Sequence, residues 1–472
     1  MNVLRTKPIQ SFLNDIATSH LKKTLTAVDI TLLGIGVIVG TGIFVLTGVV
    51  AAQYAGPGII LSFILAGITC AFVAMAYSEL SATLPVAGSA YTYTYGTLGE
   101  LAAWTVGWGL VAEYSIGAAA VSVGWSAYVS ALLASGGIHL PKILISGPAE
   151  GGLINLPAMI IVWVVTLLLV RGIQESARVN RVLVIIKLSV IFLFLCLAGP
   201  QVQTINWQPF LPFGWSGVYA GASVIFFAYI GFDCLSATVE EAKNPQRDVP
   251  IGIISALVIC TILYIAVSAV LTGVIPYQSL NNAEPVTFVL RQLGYNFGSA
   301  LVATGALCGL STVILVLMYS QTRAFYAMSR DGLLPKFFGE IHPRFSTPAK
   351  VTLLIGVVIS LLAGLTPINI IAELTSAGTL FAFLCASLSV MILRKRHPEL
   401  PRSFKCPNLY AVATLGFFST AFLLYNLSFI THAFFFSWIF FGIIVYFIYG
   451  HHHSHLSPVE TAQTTPKSAE NN

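Results

Sequence analysis

Charge is what this sequence has least of: 9% of its 472 residues are Asp, Glu, Lys or Arg, against roughly 25% in an ordinary soluble domain. With 56% of the residues apolar, the long apolar runs, among them Ile59–Met75, Leu156–Val170 and Val351–Leu365, are too many for a water-soluble core. Lipid is therefore the expected solvent. Strict apolar–polar alternation is missing as well, which excludes a transmembrane barrel, so the runs are expected to be helices that satisfy their own backbone. The seven cysteines contain no CxxC pair and no Cys/His ligand spacing. Neither a zinc site nor a disulfide framework is signalled, and no metal or other cofactor is expected. Cys70, Cys196 and Cys260 lie inside apolar runs and read as small packing residues.

What is present is a series of spans. Apolar runs bounded by charges, Pro and Gly predict twelve helices, near 28–52, 57–78, 97–132, 155–173, 176–199, 216–240, 250–275, 294–328, 349–366, 368–393, 407–430 and 432–450. The third and eighth exceed the roughly 20 residues of a perpendicular crossing, which implies tilt or extension beyond the bilayer. The chain then divides into an N-terminal segment 1–27, five spans in 28–199, five in 216–393, two in 407–450 and a tail 451–472. Residues 1–27 carry Arg5, Lys7, Lys22 and Lys23 and no cleavable pattern, so the first helix is expected to be its own insertion signal. Of the 23 basic residues, 20 fall on one side of this arrangement, Lys142 and Arg291 on the other, and Lys187 within a span. That asymmetry places both termini in the cytoplasm of a cell whose inner, plasma membrane holds the protein. The net charge of +5 thus sits in short loops, and no nucleic acid is needed to explain it. The tail, with His451, His452, His453 and His455 ahead of a Ser/Thr/Pro-rich end, is expected to be disordered.

Two spans are interrupted. The first contains Gly34, Gly36, Gly40 and Gly42, a pattern that superficially matches a dinucleotide-binding fingerprint but lies within one apolar span, without the strand and acidic residue that fingerprint requires. Two readings stay open: Gly36 and Gly40 as a small-xxx-small pair for close helix approach, or a helix broken at mid-membrane. A break exposes amides and carbonyls, which is tolerable only where they line a cavity or bind a ligand, and a half-helix N-terminus attracts a carboxylate. Gly40, Thr41 and Gly42 suit such a site. The sixth span offers a counterpart in Phe226, Phe227, Ala228, Tyr229, Ile230 and Gly231, followed by Asp233. Interruptions in spans one and six of ten are the pattern of an inverted-repeat transporter.

Ionisable residues inside spans cost about 2.5–3.5 kcal/mol or more at the helix centre and are functional candidates by default. Lys187, within Val182–Phe192, lies too deep for its stem to reach either interface. Burial penalises its charged form, which makes it able to gain and lose a proton; the alternative is a lysine paired permanently with Glu113 or Asp233. Glu113 of the third span either faces a substrate cavity or pairs with a neighbour. Glu79 and Glu373 lie nearer span ends, where a solvated role is expected. Ser311 and Thr312 of the eighth span offer hydroxyls at mid-membrane or bond their own helix backbone.

At these motifs the sequence resembles the amino acid/polyamine/organocation (APC) superfamily, in particular the bacterial branch of the cationic amino acid transporters. The matching segments include GIGVIVGTGIFVLTG at 34–48, VNRVLVIIK at 179–187, FFAYIGFDCLSATVEEAKNPQRDVP at 226–250 and YAMSRDGLLPKFF at 326–338. The resemblance implies an all-α integral membrane protein with a five-plus-five inverted-repeat (LeuT-type) core, helices 1 and 6 broken, and helices 11 and 12 outside the repeat. It implies a proton-coupled L-amino acid symporter, not an enzyme, that takes neutral or cationic substrates. The substrate carboxylate would sit on the backbone of Val39, Gly40, Thr41 and Gly42, and its amino group on carbonyls near Phe226, Phe227, Ala228 and Ile230. Lys187 would stand where sodium binds in other members, bridging span-one carbonyls such as that of Gly36 to Ser311 or Thr312. Relatives often carry Asp where Gly109 stands, so a cationic substrate would depend on Glu113. An exchanger with a structural Lys187, or a receptor that binds amino acids without moving them, are the alternatives.

Overall fold

A computed structural model describes residues 5–8, 25–84, 89–172, 177–233, 235–236, 242–345 and 347–456. Each predicted span overlaps at least one helix among the described residues. In chain order the helices are α1 (Ala27–Ile38), α2 (Thr47–Val50) between two π-helical turns, α3 (Ile59–Thr83), α4 (Ser89–Thr97), α5 (Glu100–Ser135), α6 (Leu156–Val170) and α7 (Ala177–Ala198). They continue as α8 (Gly214–Ile225), α9 (Pro245–Val274), α10 (Pro285–Gln292), α11 (Asn296–Arg330), α12 (Ala349–Leu365), α13 (Ile368–Arg396), α14 (Leu409–Tyr425) and α15 (Phe429–Val445). Among the described residues, seven helical stretches are long and apolar enough to cross a membrane, and α1, α6, α12 and α14 are shorter apolar helices.

Local chemistry sets the boundaries. A capping box starts α1: Thr26 accepts from the Asp29 amide while the Asp29 carboxylate accepts from the Thr26 amide, satisfying two amides that lack intrahelical partners. Asn155 caps α6 by accepting from the Ala158 amide, with Pro157 inside the first turn. Three basic residues, Arg394, Lys395 and Arg396, close α13 at the end where the helix dipole favours cations.

The inner packing pairs α5 with α11, α3 with α9, α6 with α12 and α5 with α13, while α1 lies between α9 and α7. Outward, large apolar side chains stay uncovered: Phe418, Tyr425, Phe429 and Phe440 on α14, α15 and their junction, and Ile160, Val164 and Leu167 on α6. Such an uncovered surface requires lipid. The α15 helix locks onto α5 by exchange of indole hydrogen bonds, Trp108 Nε1 to Trp438 O and Trp438 Nε1 to Trp108 O, both 3.0 Å. The two rings stack at 4.8 Å.

The structure departs from the sequence reading at several points. Two short helices, α4 and α10, fall where no element was expected. Glu79 is buried, not solvated: it binds Arg394, accepts from the Cys406 amide at 2.8 Å and lies 3.5 Å from Arg402. Glu373 is likewise enclosed, with Tyr54 donating to Oε1 at 2.9 Å and Ser428 and Thr431 donating to Oε2 at 2.5 and 2.7 Å. In both cases groups distant in the chain close over the carboxylate, which apolar counting along one span cannot register. The segment expected to leave the fold at His451 instead continues helically through His453, and Ser454 donates to Glu100 at 2.5 Å. Residues 457–472 of the expected tail lie outside the described residues.

Candidate functional site

Helix α1 stops at Ile38, and Val39 turns extended at φ −75°, ψ 92°. The chain resumes helically at Thr41 as a π-turn over Gly42–Leu46. The first amides of that second segment have no helical carbonyl to meet, and carbonyls at the end of α1 lose the amides a continuous helix would have supplied. Two side chains take these carbonyls. Lys187 Nζ donates to Gly36 O at 2.5 Å, and the Tyr264 hydroxyl lies 2.7 Å from Ile38 O.

The second interruption follows α8. Residues Phe226–Tyr229 tighten into a 3-10 turn, Ile230 is extended and Gly231 has φ +112°. Residues 234 and 237–240 of the predicted sixth span lie outside the described residues. The two breaks meet face to face. A Cβ on Gly42 would lie 2.2 Å from Ala228 Cβ, and one on Gly231 would lie 2.3 Å from Val37 Cγ1. Glycine at each break is thus what lets the other approach. Tyr264 of α9 stands at the junction, its hydroxyl 2.7 Å from both Ile38 O and Ala228 O. With one hydrogen, it donates to one carbonyl at a time.

Around this junction Val39, Gly40, Thr41, Gly42, Phe226, Phe227, Ala228 and Ile230 are all buried. The Thr41 hydroxyl is 1% exposed at the residue level and has no hydrogen-bond partner among the described residues, a polar atom that burial makes costly unless something meets it. Phe226 packs edge-on against Phe383 of α13.

Lys187 is fully buried on α7. Besides Gly36 O, its Nζ donates to Thr312 Oγ1 at 2.9 Å, and Thr312 in turn donates to Gly309 O at 2.8 Å. The lysine stem lies in a trough on α11: a Cβ on Gly309 would come 2.7 Å from Lys187 Cε. The neighbouring hydroxyl does not join this cluster. Ser311 bonds Leu307 O and accepts from Trp125 Nε1 at 3.0 Å, one helical position being enough to turn it toward α5.

Glu113 is buried on α5, its Cβ 3.1 Å from where a Cβ on Gly378 of α13 would stand. Asp233 is also buried, with Ser89 and Tyr114 hydroxyls 3.4 Å from Oδ2. A Cβ on Gly109 would point at Ile439 of α15, 4.0 Å away, so the absence of a carboxylate at that position concerns the α5–α15 contact and not the junction of the breaks. Among the described residues no group of three His, Cys, Asp or Glu side chains is placed to hold a metal ion. Sequence reasoning missed Tyr264, whose signal is the single tyrosine in the middle of the apolar run of α9.

A family model described as amino acid permease matches residues 25–455. The chain is 47% identical over 464 residues to a branched-chain amino acid permease, BcaP, of Bacillus subtilis, covering 97% of this chain and 99% of that one. It is 45% identical over 458 residues to a methylthioribose transporter of the same organism, with the same coverage. It is also 38% identical over 409 residues to a vacuolar cationic amino acid transporter of Arabidopsis thaliana, covering 84% of this chain and 68% of the relative.

Proposed function

This chain belongs to the amino acid permease family of the APC superfamily, and from that premise we propose that it is a proton-coupled symporter of L-amino acids that works by alternating access. It is a multi-pass membrane protein and a transporter, not an enzyme. The observation that carries the coupling is the Lys187 ammonium, held between a carbonyl that the α1 break exposes and the Thr312 hydroxyl of α11. A cation there occupies the place a metal ion would otherwise fill, and losing its proton removes the charge that ties α7 to the break. Protonation and substrate then favour the same state, because each satisfies groups the breaks leave open.

The substrate carboxylate binds the amides that open the second half of the first span, at Gly40, Thr41 and Gly42, with the unpartnered Thr41 hydroxyl beside them. Its amino group meets carbonyls of the second break near Phe226, Phe227 and Ile230. Glu113 is the carboxylate for a cationic side chain. Spans two and seven, three and eight, and four and nine pack pairwise, as α3 with α9, α5 with α11 and α6 with α12, which supports twelve spans with two inverted five-helix repeats over 28–199 and 216–393. The distribution of basic residues supports a cytoplasmic position for both termini, and the likeness to bacterial permeases supports the plasma membrane.

The test is uptake into proteoliposomes driven by an inward proton gradient. Lys187→Ala is expected to abolish gradient-driven accumulation while the protein still inserts; accumulation at the wild-type level overturns the role given to the lysine. Counterflow without a gradient that exceeds gradient-driven uptake makes the protein an exchanger with a structural Lys187, and binding without either makes it a receptor. The relatives' names define the competitors to add: leucine, isoleucine and valine, arginine and lysine, and methylthioribose.

A further inference from the structure

Away from the breaks, α6, α11 and α12 enclose a cleft of about 160 Å³ where α6 ends and α12 begins. Its polar lining is Tyr319, Thr322, Arg323 and Tyr326 on α11 with Thr347 and Thr352 at the start of α12. The Arg323 guanidinium donates to the Tyr319 hydroxyl at 2.5 Å and lies 4.9 Å from that ring's centroid, so the planar fork is held in place and the phenolic hydrogen points onward. Positive charge in this corner goes unmatched: Arg171, Arg323 and Arg344 have no ion pair among the described residues, and Glu340, the acidic residue of the connecting loop, is bound to Lys350 at 2.7 Å. The N-terminus of the seventeen-residue α12 opens here with no side-chain cap, adding its positive dipole end. The opposing C-terminus of α6 is neutralised, since Thr347 donates to Val170 O at 2.8 Å.

The walls that lead away from the cleft are apolar. Ile160, Val164 and Leu167 on α6 and Leu353, Val357 and Leu361 on α12 are all exposed, and these two helices pack against each other as they leave the cleft. A rigid arginine, a tyrosine hydroxyl and a helix N-terminus at the head of two apolar rails match the phosphodiester of an anionic phospholipid, headgroup in the cleft and acyl chains along α6 and α12. We propose that this cleft is a binding site for an anionic glycerophospholipid of the cytoplasmic leaflet, with Arg323 as the phosphate ligand; the leaflet rests on the topology proposed above. A free phosphate would use the same polar groups but leave the apolar rails unused.

Native mass spectrometry after release from nanodiscs tests this, with wild type, Arg323→Gln and Arg323→Lys each in phosphatidylcholine containing one part in five phosphatidylglycerol. Wild type is expected to retain one phosphatidylglycerol several-fold more often than Arg323→Gln, with Arg323→Lys between them because charge remains and the fork is lost. Phosphatidylcholine should not be retained, and millimolar inorganic phosphate should not displace the anionic lipid. Equal retention by Arg323→Gln, equal retention of phosphatidylcholine, or full displacement by phosphate each overturns the site. Should Arg323→Gln fail to fold, Tyr319→Phe carries the same expectation of reduced retention.

Discussion

One methylene-rich side chain, that of Lys187, ends at an atom whose neighbours are a main-chain oxygen and a threonine hydroxyl. A hydrogen bond to a charged group contributes roughly 1.5–3 kcal/mol, and about 1.4 kcal/mol is a factor of ten. Thr312→Val keeps the shape and removes one acceptor, so gradient-driven uptake is expected to fall roughly tenfold or more. Ser311→Ala, by contrast, should leave uptake near wild type, because Ser311 serves Trp125 and its own helix. A comparable loss in both variants would mean that the hydroxyls act only through the packing of α11. The sequence made Lys187 legible through its isolation in an apolar run, but it could not choose between two adjacent hydroxyls, since that choice is made by the rotation of α11 against α5 and α7. Glu79 and Glu373 were misplaced for a related reason: their donors come from residues hundreds or tens of positions away.

At the level of elements, the breaks were readable because glycine and a following hydroxyl or aromatic run interrupt otherwise continuous apolar stretches. Their mutual contact was not, because it depends on how the turns that follow α1 and α8 pack against each other. Gly231→Ala combines a φ of +112° with a Cβ 2.3 Å from Val37. It is expected to lower thermal stability and to abolish uptake; a variant as stable and active as wild type would show that the two breaks do not meet in this way. Tyr264→Phe leaves Ile38 O and Ala228 O without their shared donor, a loss of roughly 1–3 kcal/mol, visible as a lower Tm in a detergent thermal-shift assay. Helix α4 was invisible in the sequence for a different reason. Its alternating tyrosines and threonines carry no apolar stripe at helical spacing, yet every residue from Ser89 to Thr97 is buried, so neighbours on all sides, not a hydrophobic face, hold it helical.

Across the whole molecule, the first and last described segments, around Arg5 and Ser454, converge on a single carboxylate. Glu100 is fully buried and accepts from Arg5 at 2.9 Å, Tyr446 at 2.8 Å, Tyr95 at 3.2 Å and Ser454 at 2.5 Å. Arg5 also reaches Leu456 O, and Lys7 binds Asp331 at the end of α11. Breaking a buried ion pair by removing one partner costs about 3–5 kcal/mol, so Glu100→Gln should lower Tm markedly and make the residues after Gly450 accessible to protease. An unchanged cleavage pattern would sink that expectation. None of this convergence could be seen in the sequence, where both ends look polar and unattached; it exists only once α5, α11 and α15 are assembled.

The indoles of Trp104, Trp108 and Trp438 form a short column, with Trp104 and Trp108 stacked at 5.5 Å and Trp108 and Trp438 at 4.8 Å. Chromophores this close share their excited states, so the protein carries an optical reporter spanning two of its helices. Circular dichroism is expected to show a tryptophan couplet that Trp438→Phe weakens by removing the closer pair, while the Trp104–Trp108 pair remains. Any event that slides one helix past the other becomes readable by light alone, without attaching a dye.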